Sequence, residues 1–198
     1  MALLEADAPR EPYALFQRWF REAQEAGVPQ PDAMTLATAS DEGPSARMVL
    51  FKGFQNGAFL FYSNYGSRKG IDLVHDHRAA LVFYWSATHH QVRVYGVVRR
   101  LGRGASEEYF RTRPRGAQLS ALASRQSRLV RSREVLEARV SELADKHPEE
   151  IPLPRDWGGY ALGPRWIEFW ESREDRLHDR LRYVLGNSGR WRVERLAP

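Results

Sequence analysis

Cysteine is missing from all 198 residues. That excludes a disulfide framework, thiolate metal sites and a cysteine nucleophile together. No run approaches the roughly 18 apolar residues that a membrane helix needs. The opening MALLEADAPREP carries acidic residues and prolines where a secretory signal has an apolar stretch. The expectation is a soluble, cytoplasmic protein. The G-x-G-x-x-G, Walker, H-E-x-x-H and G-x-S-x-G signatures are also absent, which removes the chemistry each would carry. The six histidines form no convincing ligand set, and the pair His75 and His77 reads as a solvated loop; no metal is expected. Lysine is scarce: Lys52, Lys69 and Lys146 stand against 27 arginines.

What is present suits one compact domain over residues 1–198, with 1–11 as a flexible leading segment: 42% of the residues are apolar and 28% charged. The net charge is +5 and the pI near 9.7. Arginine forks suit phosphate and carboxylate, although a GC-rich genome produces the same bias. The arginine-dense stretch RTRPRGAQLSALASRQSRLVRSR raises nucleic-acid binding as an alternative. It is opposed by the lack of interleaved aromatics after Phe110.

Helical spacing of Leu15, Phe16, Trp19, Phe20 and Ala23 predicts a helix over 13–26, stopped by Gly27. The period then shortens. MTLATAS, SARMVLFKGF, AFLFYSN, AALVFYWSA and QVRVYGVVRRL read as antiparallel strands parted by turn signals, which suggests a small barrel or sandwich. A short helix capped by Ser67 is expected in SRKGIDLVHDH, another in ASEEYFRTR up to Pro114, and a longer one in SREVLEARVSELADKH. IPLPRDWGG reads as a connector, and RWIEFW, RLHDRLRYVL and GRWRVERL as further strands. The class is α+β, mainly β.

Four places break this structural pattern. Arg68 and Lys69 put two cations in the first turn of a helix, against its dipole, which makes sense if an anion sits there or if both are simply solvated. Arg47 and Lys52 flank the apolar run Met48-Val49-Leu50-Phe51, on opposite faces if the strand is regular. On a strand, Arg176, His178 and Arg180 would share a face and repel one another unless an anionic or electron-rich group covered them; nearby carboxylates would also relieve them. Tyr109 and Arg113, four apart on a helix, suit a phosphate, a carboxylate or plain packing. Trp170 precedes the Arg/His cluster, where an indole can cover a flat ring.

R-M-V-L-F-K at 47–52, F-Y-S-N-Y-G-S-R-K at 61–69, Y-F-R-T-R-P-R at 109–115, W-G-G at 157–159, I-E-F-W at 167–170 and R-L-H-D-R at 176–180 follow one another in order. From Pro12 to the final RLAP the chain resembles the pyridoxamine 5'-phosphate oxidase family. The resemblance implies an FMN-binding split β-barrel of antiparallel strands with peripheral helices. It also implies a homodimer holding its flavins between subunits, with no nucleic-acid or membrane partner. Implied flavin contacts are Arg47, Met48, Val49, Leu50, Phe51 and Lys52, then Tyr62, Ser63, Gln91, Gln126, Ser127, Trp170 and Arg180, with Arg68 and Lys69 on the FMN phosphate. Lys52, Tyr109, Arg113 and position 117 correspond to the substrate phosphate site. Arg176, Leu177 and His178 correspond to the substrate ring, with Arg176 and His178 in the catalytic roles.

The implied reaction moves a hydride from C4' of pyridoxine or pyridoxamine 5'-phosphate to the flavin, which dioxygen reoxidises to give hydrogen peroxide; the amine substrate also releases ammonia. Two departures stand out. Ala117 occupies a position where the family commonly has a phosphate-binding serine, and Ser63 replaces a usual threonine. Ala117 keeps open a flavin oxidase of another aromatic substrate, such as a phenazine precursor. Lys52, Tyr109, Arg113, Arg176 and His178 argue against that reading.

Overall fold

The computed structural model describes residues 3–198. Its first helix, α1 (Pro12–Glu25), begins on a proline preset for the first helical turn and buries Leu15, Phe16, Trp19 and Ala23 along one stripe. Strands β1 (Ala33–Ser40) and β2 (Gly43–Leu50) pair as a hairpin, with Ala33 opposite Leu50 and Ser40 opposite Gly43. The strands β3 (Phe54–Gln55), β4 (Ala58–Asn64), β5 (Arg78–Trp85), β6 (His90–Arg100), β7 (Trp157–Glu171), β8 (Asp179–Leu185) and β9 (Trp191–Arg195) complete one antiparallel sheet. Helices α2 (Arg68–His75), α3 (Arg103–Thr112), α4 (Arg115–Ala123) and α5 (Arg133–Lys146) lie between strands in the chain.

The sheet runs β2-β1-β5-β6-β7-β4-β3, and β7 is where it divides. This strand pairs with β6 along most of its length, from Tyr160 onward. Its first half, Trp157–Leu162, also pairs with β4, and its second half, Trp166–Glu171, with β8. A bulge where Tyr95 and Gly96 face it marks the change. The ring closes beyond β2: Lys52 N–H donates to Leu60 O at 2.8 Å and Leu60 N–H to Gly53 O at 3.0 Å. Inside the ring, Phe16 from α1 meets Phe51, Phe54, Phe59 and Phe83 edge-on, each at 5.0–5.4 Å. Edge-to-face packing of this kind adds to area burial because each ring's positive rim meets a negative face.

Three expectations are corrected. Arg176, Leu177 and His178 are not on a strand, because β8 starts at Asp179. Arg176 sits in a turn at φ +63, with its N–H donating to Arg173 O at 3.2 Å, so alternation does not stack the three side chains on one face. Trp157-Gly158-Gly159 opens β7 and is not a connector; a Cβ on Gly158 would lie 2.0 Å from the Tyr65 hydroxyl, so glycine is there for close approach. Ser67 does precede α2, but its hydroxyl donates to Asn64 O at 2.7 Å and does not cap the helix. The arginine-dense stretch also contains a helix, α4, that its sequence did not announce.

Of the leading segment expected to be loose, Met1 and Ala2 lie outside the described residues. Leu3 is buried in the core, and Glu5 pairs with Arg195 at 2.7 Å. Among the described residues no helix is long and apolar enough to cross a membrane.

Candidate active site

A cleft of about 420 Å³ opens between the end of β2, β4, the start of α2 and the α3–α4 pair. Met48, Val49 and Leu50 form its apolar side, and Lys52, Lys69 and Arg113 bring three cations. None of its lining side chains is acidic. Lys69 and Arg113 bring charge to this cavity without a carboxylate among its walls, and an anion would offset the cost of holding them there.

Lys69 shows the effect most directly. It is 7% exposed, and among the described residues its ammonium donates only to neutral partners: Gln126 Oε1 at 2.8 Å and Ser67 Oγ at 3.3 Å. Burial, with Arg47 adding repulsion, pulls its pKa down to about 8. Ser63 donates to the same Gln126 oxygen at 3.2 Å, so Ser63, Lys69 and Gln126 make one end of the cleft. Arg68, its neighbour in the helix, differs. Its guanidinium is already met by Asp72 at 2.8 Å and Glu42 at 2.5 Å. The helix-start anomaly therefore belongs to Lys69.

The other end is aromatic and cationic. Tyr62 and Tyr109 stack at 3.8 Å, Trp157 lies nearly parallel to both, and the Arg113 guanidinium rests 4.7 Å from the Trp157 ring centroid. Burial lowers the Arg113 pKa, and its Nη1 is buried with no hydrogen-bond partner among the described residues. A desolvated, unpartnered guanidinium nitrogen costs free energy until an acceptor arrives. Tyr62 is pushed above the usual phenol range, chiefly by burial. At the rim, Lys52 pairs with Asp32 at 2.9 Å.

Ala117, in α4, is not in the cleft wall, whereas Ser120 on the same helix and Ser124 just after it are. Sequence reasoning passed over both serines, and it gave Trp157 no chemical role because nothing marked it as the platform for Arg113. Arg47 and Phe51 also stay out of the wall: Phe51 is in the core, and Arg47 bonds Thr38 at 2.7 Å and Ser45 at 2.7 Å behind it. Ser127 adopts φ +68 and lines an adjoining cavity with Arg68.

Gln91, Trp170, Arg180 and His178 gather elsewhere. Gln91 on β6, Trp170 on β7 and Arg180 on β8 sit side by side in register, and none of them lines the cleft. His178 leans on Trp170 at 4.7 Å and accepts the Arg173 N–H at Nδ1, 3.0 Å, which puts the proton of its neutral ring on Nε2. Arg180 is held by Glu168 at 2.9 Å. The Arg176 side chain is exposed and makes no hydrogen bond or ion pair among the described residues; Leu177 beside it is 68% exposed.

The chain matches known proteins over its whole length. Residues 20–147 match the family model described as pyridoxamine 5'-phosphate oxidase, and residues 157–198 match one described as the pyridoxine 5'-phosphate oxidase C-terminal dimerisation region. The chain belongs to the pyridoxamine 5'-phosphate oxidase family. Two of its relatives in that family are named pyridoxine/pyridoxamine 5'-phosphate oxidase. The one from Cupriavidus metallidurans is 48% identical, with 100% of this chain and 93% of that protein covered. The one from Bordetella pertussis is 49% identical, with 99% and 93% covered. Among solved structures, PhzG from Burkholderia lata 383, in complex with tetrahydrophenazine-1-carboxylic acid, is 32% identical with a TM-score of 0.92 over 100% of this chain and 98% of that one. A Nostoc punctiforme FMN-binding protein, 18% identical with a TM-score of 0.78 over 96% of this chain and 98% of that one, shares the fold. The ring that closes at Lys52–Leu60 and divides at β7 is the split barrel of this family, and membership makes the chain an oxidoreductase.

Proposed function

We propose that the protein oxidises pyridoxine 5'-phosphate or pyridoxamine 5'-phosphate to pyridoxal 5'-phosphate, with dioxygen as the final acceptor and hydrogen peroxide as the second product. The observation that carries this reading is the acid-free cleft, in which Lys69 and Arg113 are held by different neighbours. Each end suits one phosphate: Lys69, Ser63 and Gln126 the cofactor's, and Arg113, Tyr109 and Lys52 the substrate's. FMN fits the donor set, and when bound it supplies the hydride acceptor that this chain's side chains do not contain.

The protein's part is orientation and electrostatics. Lys69 neutralises the cofactor phosphate, and the Met48–Leu50 edge gives the ring an apolar wall. Arg113, resting over the Trp157 ring, gives the cleft wall a guanidinium for the substrate phosphate. Gln91, Trp170, Arg180, Arg176 and His178 reach the cleft of a second copy of this chain in a homodimer, a reading supported by the dimerisation-region match over 157–198. There His178 Nε2–H donates to a ring substituent, and Arg176 stabilises negative charge on the substrate ring. Its left-handed backbone is the kind of local strain that marks functional turns.

The direct test is incubation of protein and FMN with pyridoxamine 5'-phosphate under air, following aldehyde and peroxide; neither product forming would end the proposal. Arg176→Ala should lower kcat by about 10²–10³-fold, the scale of losing one preorganised charge stabiliser, with the FMN dissociation constant unchanged within threefold. Equal turnover would remove the assigned role.

A pH dependence follows from Lys69. Its ammonium is needed for the anion and is lost in the free protein as pH rises through about 8. FMN affinity should be level between about pH 6.5 and 7.5, where the phosphate is largely dianionic. Above pH 8 the dissociation constant should rise, approaching about tenfold per pH unit. Lys69→Met should flatten that limb; a limb unchanged in the variant would assign the titration to another group.

The match to PhzG favours one second reading, oxidation of a phenazine precursor. Such a substrate needs no phosphate grip, so turnover of tetrahydrophenazine-1-carboxylic acid without turnover of pyridoxamine 5'-phosphate would select it.

A further inference from the structure

Resting on the FMN reading, we infer that Glu42 is a built-in competitor for the cofactor phosphate, occupying the Arg68 fork until FMN displaces it. All three guanidinium nitrogens of Arg68 are engaged: Nε donates to Asp72 Oδ1 at 2.8 Å, Nη1 to Glu42 Oε2 at 2.5 Å and Nη2 to Ser40 Oγ at 3.2 Å. Three of its five N–H donors are thereby taken, Nη1 by the more exposed of the two carboxylates, so an incoming anion meets Glu42 at the fork.

The two carboxylates are unequal. Asp72 is 1% exposed and also accepts from Thr38 Oγ1 at 2.7 Å and Arg47 Nη2 at 3.4 Å. Burial alone would raise its pKa, but the bonds from Thr38 and Arg68 hold it below the usual carboxylate range. Removing it would strand two arginines, so it is the fixed anchor. The Glu42 side chain is 77% exposed, on the turn between β1 and β2. An ion pair so exposed contributes little, because water and salt replace it readily. Glu42 is therefore the partner that yields.

Arg68, Glu42, Asp72 and Ser127 line one cavity of about 360 Å³, and Gln126, next to Ser127, bonds Lys69 in the main cleft. The contested fork thus adjoins the end assigned to the cofactor phosphate. An anion arriving there exchanges one carboxylate for a dianionic phosphate that accepts from Arg68 and Lys69 together.

The test is a double-mutant cycle on FMN affinity, read by quenching of flavin fluorescence in deflavinated protein. Glu42→Gln should tighten FMN binding about two- to fivefold, and in an Arg68→Ala background the same change should leave affinity unaltered. No tightening in Glu42→Gln overturns the inference. Equal tightening with and without Arg68 also overturns it, because that is a general charge effect and not competition for the fork. Failure of the unaltered protein to bind FMN would instead strike the functional reading itself.

Discussion

Lys69→Glu should raise the FMN dissociation constant by at least about 10²-fold. Loss of a charge-assisted hydrogen bond costs about 1.5–3 kcal/mol, and the new carboxylate adds repulsion against the phosphate. The position magnifies both effects, since Lys69 is buried, bonds to the neutral Gln126 and Ser67 and faces a cleft without acidic side chains. Lys69→Met separates charge from sign: it should weaken binding by about 10–10²-fold, the loss of the bond alone. Titration of deflavinated protein by fluorescence gives both numbers. Unchanged affinity in the glutamate variant would show that the buried ammonium serves the fold and not the cofactor.

The second large effect is expected at Arg113. Arg113→Ala should raise KM for pyridoxamine 5'-phosphate by about 10–10²-fold, the range for a lost charged hydrogen bond, while kcat falls less than threefold. The split matters, because a residue gripping a distant phosphate binds ground state and transition state alike. FMN affinity should not move, since Lys69 and Arg113 share no partner. Arg113→Lys should recover only part of the loss: a point charge lacks the planar fork that lies on Trp157. Steady-state kinetics with pyridoxamine 5'-phosphate and with unphosphorylated pyridoxamine is the check. The preference for the phosphorylated compound should shrink in Arg113→Ala, and an undiminished preference would refute the assignment.

Much of the fold was legible because burial follows periodicity. The stripe of α1 and the five strands from β1 to β6 sit where their apolar spacing put them, apart from the two-residue β3 and small shifts at the ends. Helix α4 was not, because only Leu119 and Ala123 of RGAQLSALA are buried, too few to print a stripe among small residues. The Arg176–His178 turn was misread for the opposite reason: R-L-H-D-R alternates like a strand, but the positive φ at Arg176 breaks the extension just before β8.

At the site, Lys69 and Arg113 were visible as charges in unusual places. Their environments were not, since the pairing of Arg68 with Glu42 and the bed that Trp157 makes for Arg113 join residues 26 and 44 positions apart. Spacing along a strand or helix says nothing about partners that distant.

The stranded cations have a consequence for the protein's life in the cell. A buried ammonium and a half-buried guanidinium, without counter-charges among the described residues, make the empty chain less stable than its core alone would allow, and a bound dianion returns that loss. At a free flavin concentration a hundred times the dissociation constant, mass action adds about 2.7 kcal/mol to stability. The empty chain is then the more easily unfolded and cleaved form, and the free flavin concentration sets how far that form is protected.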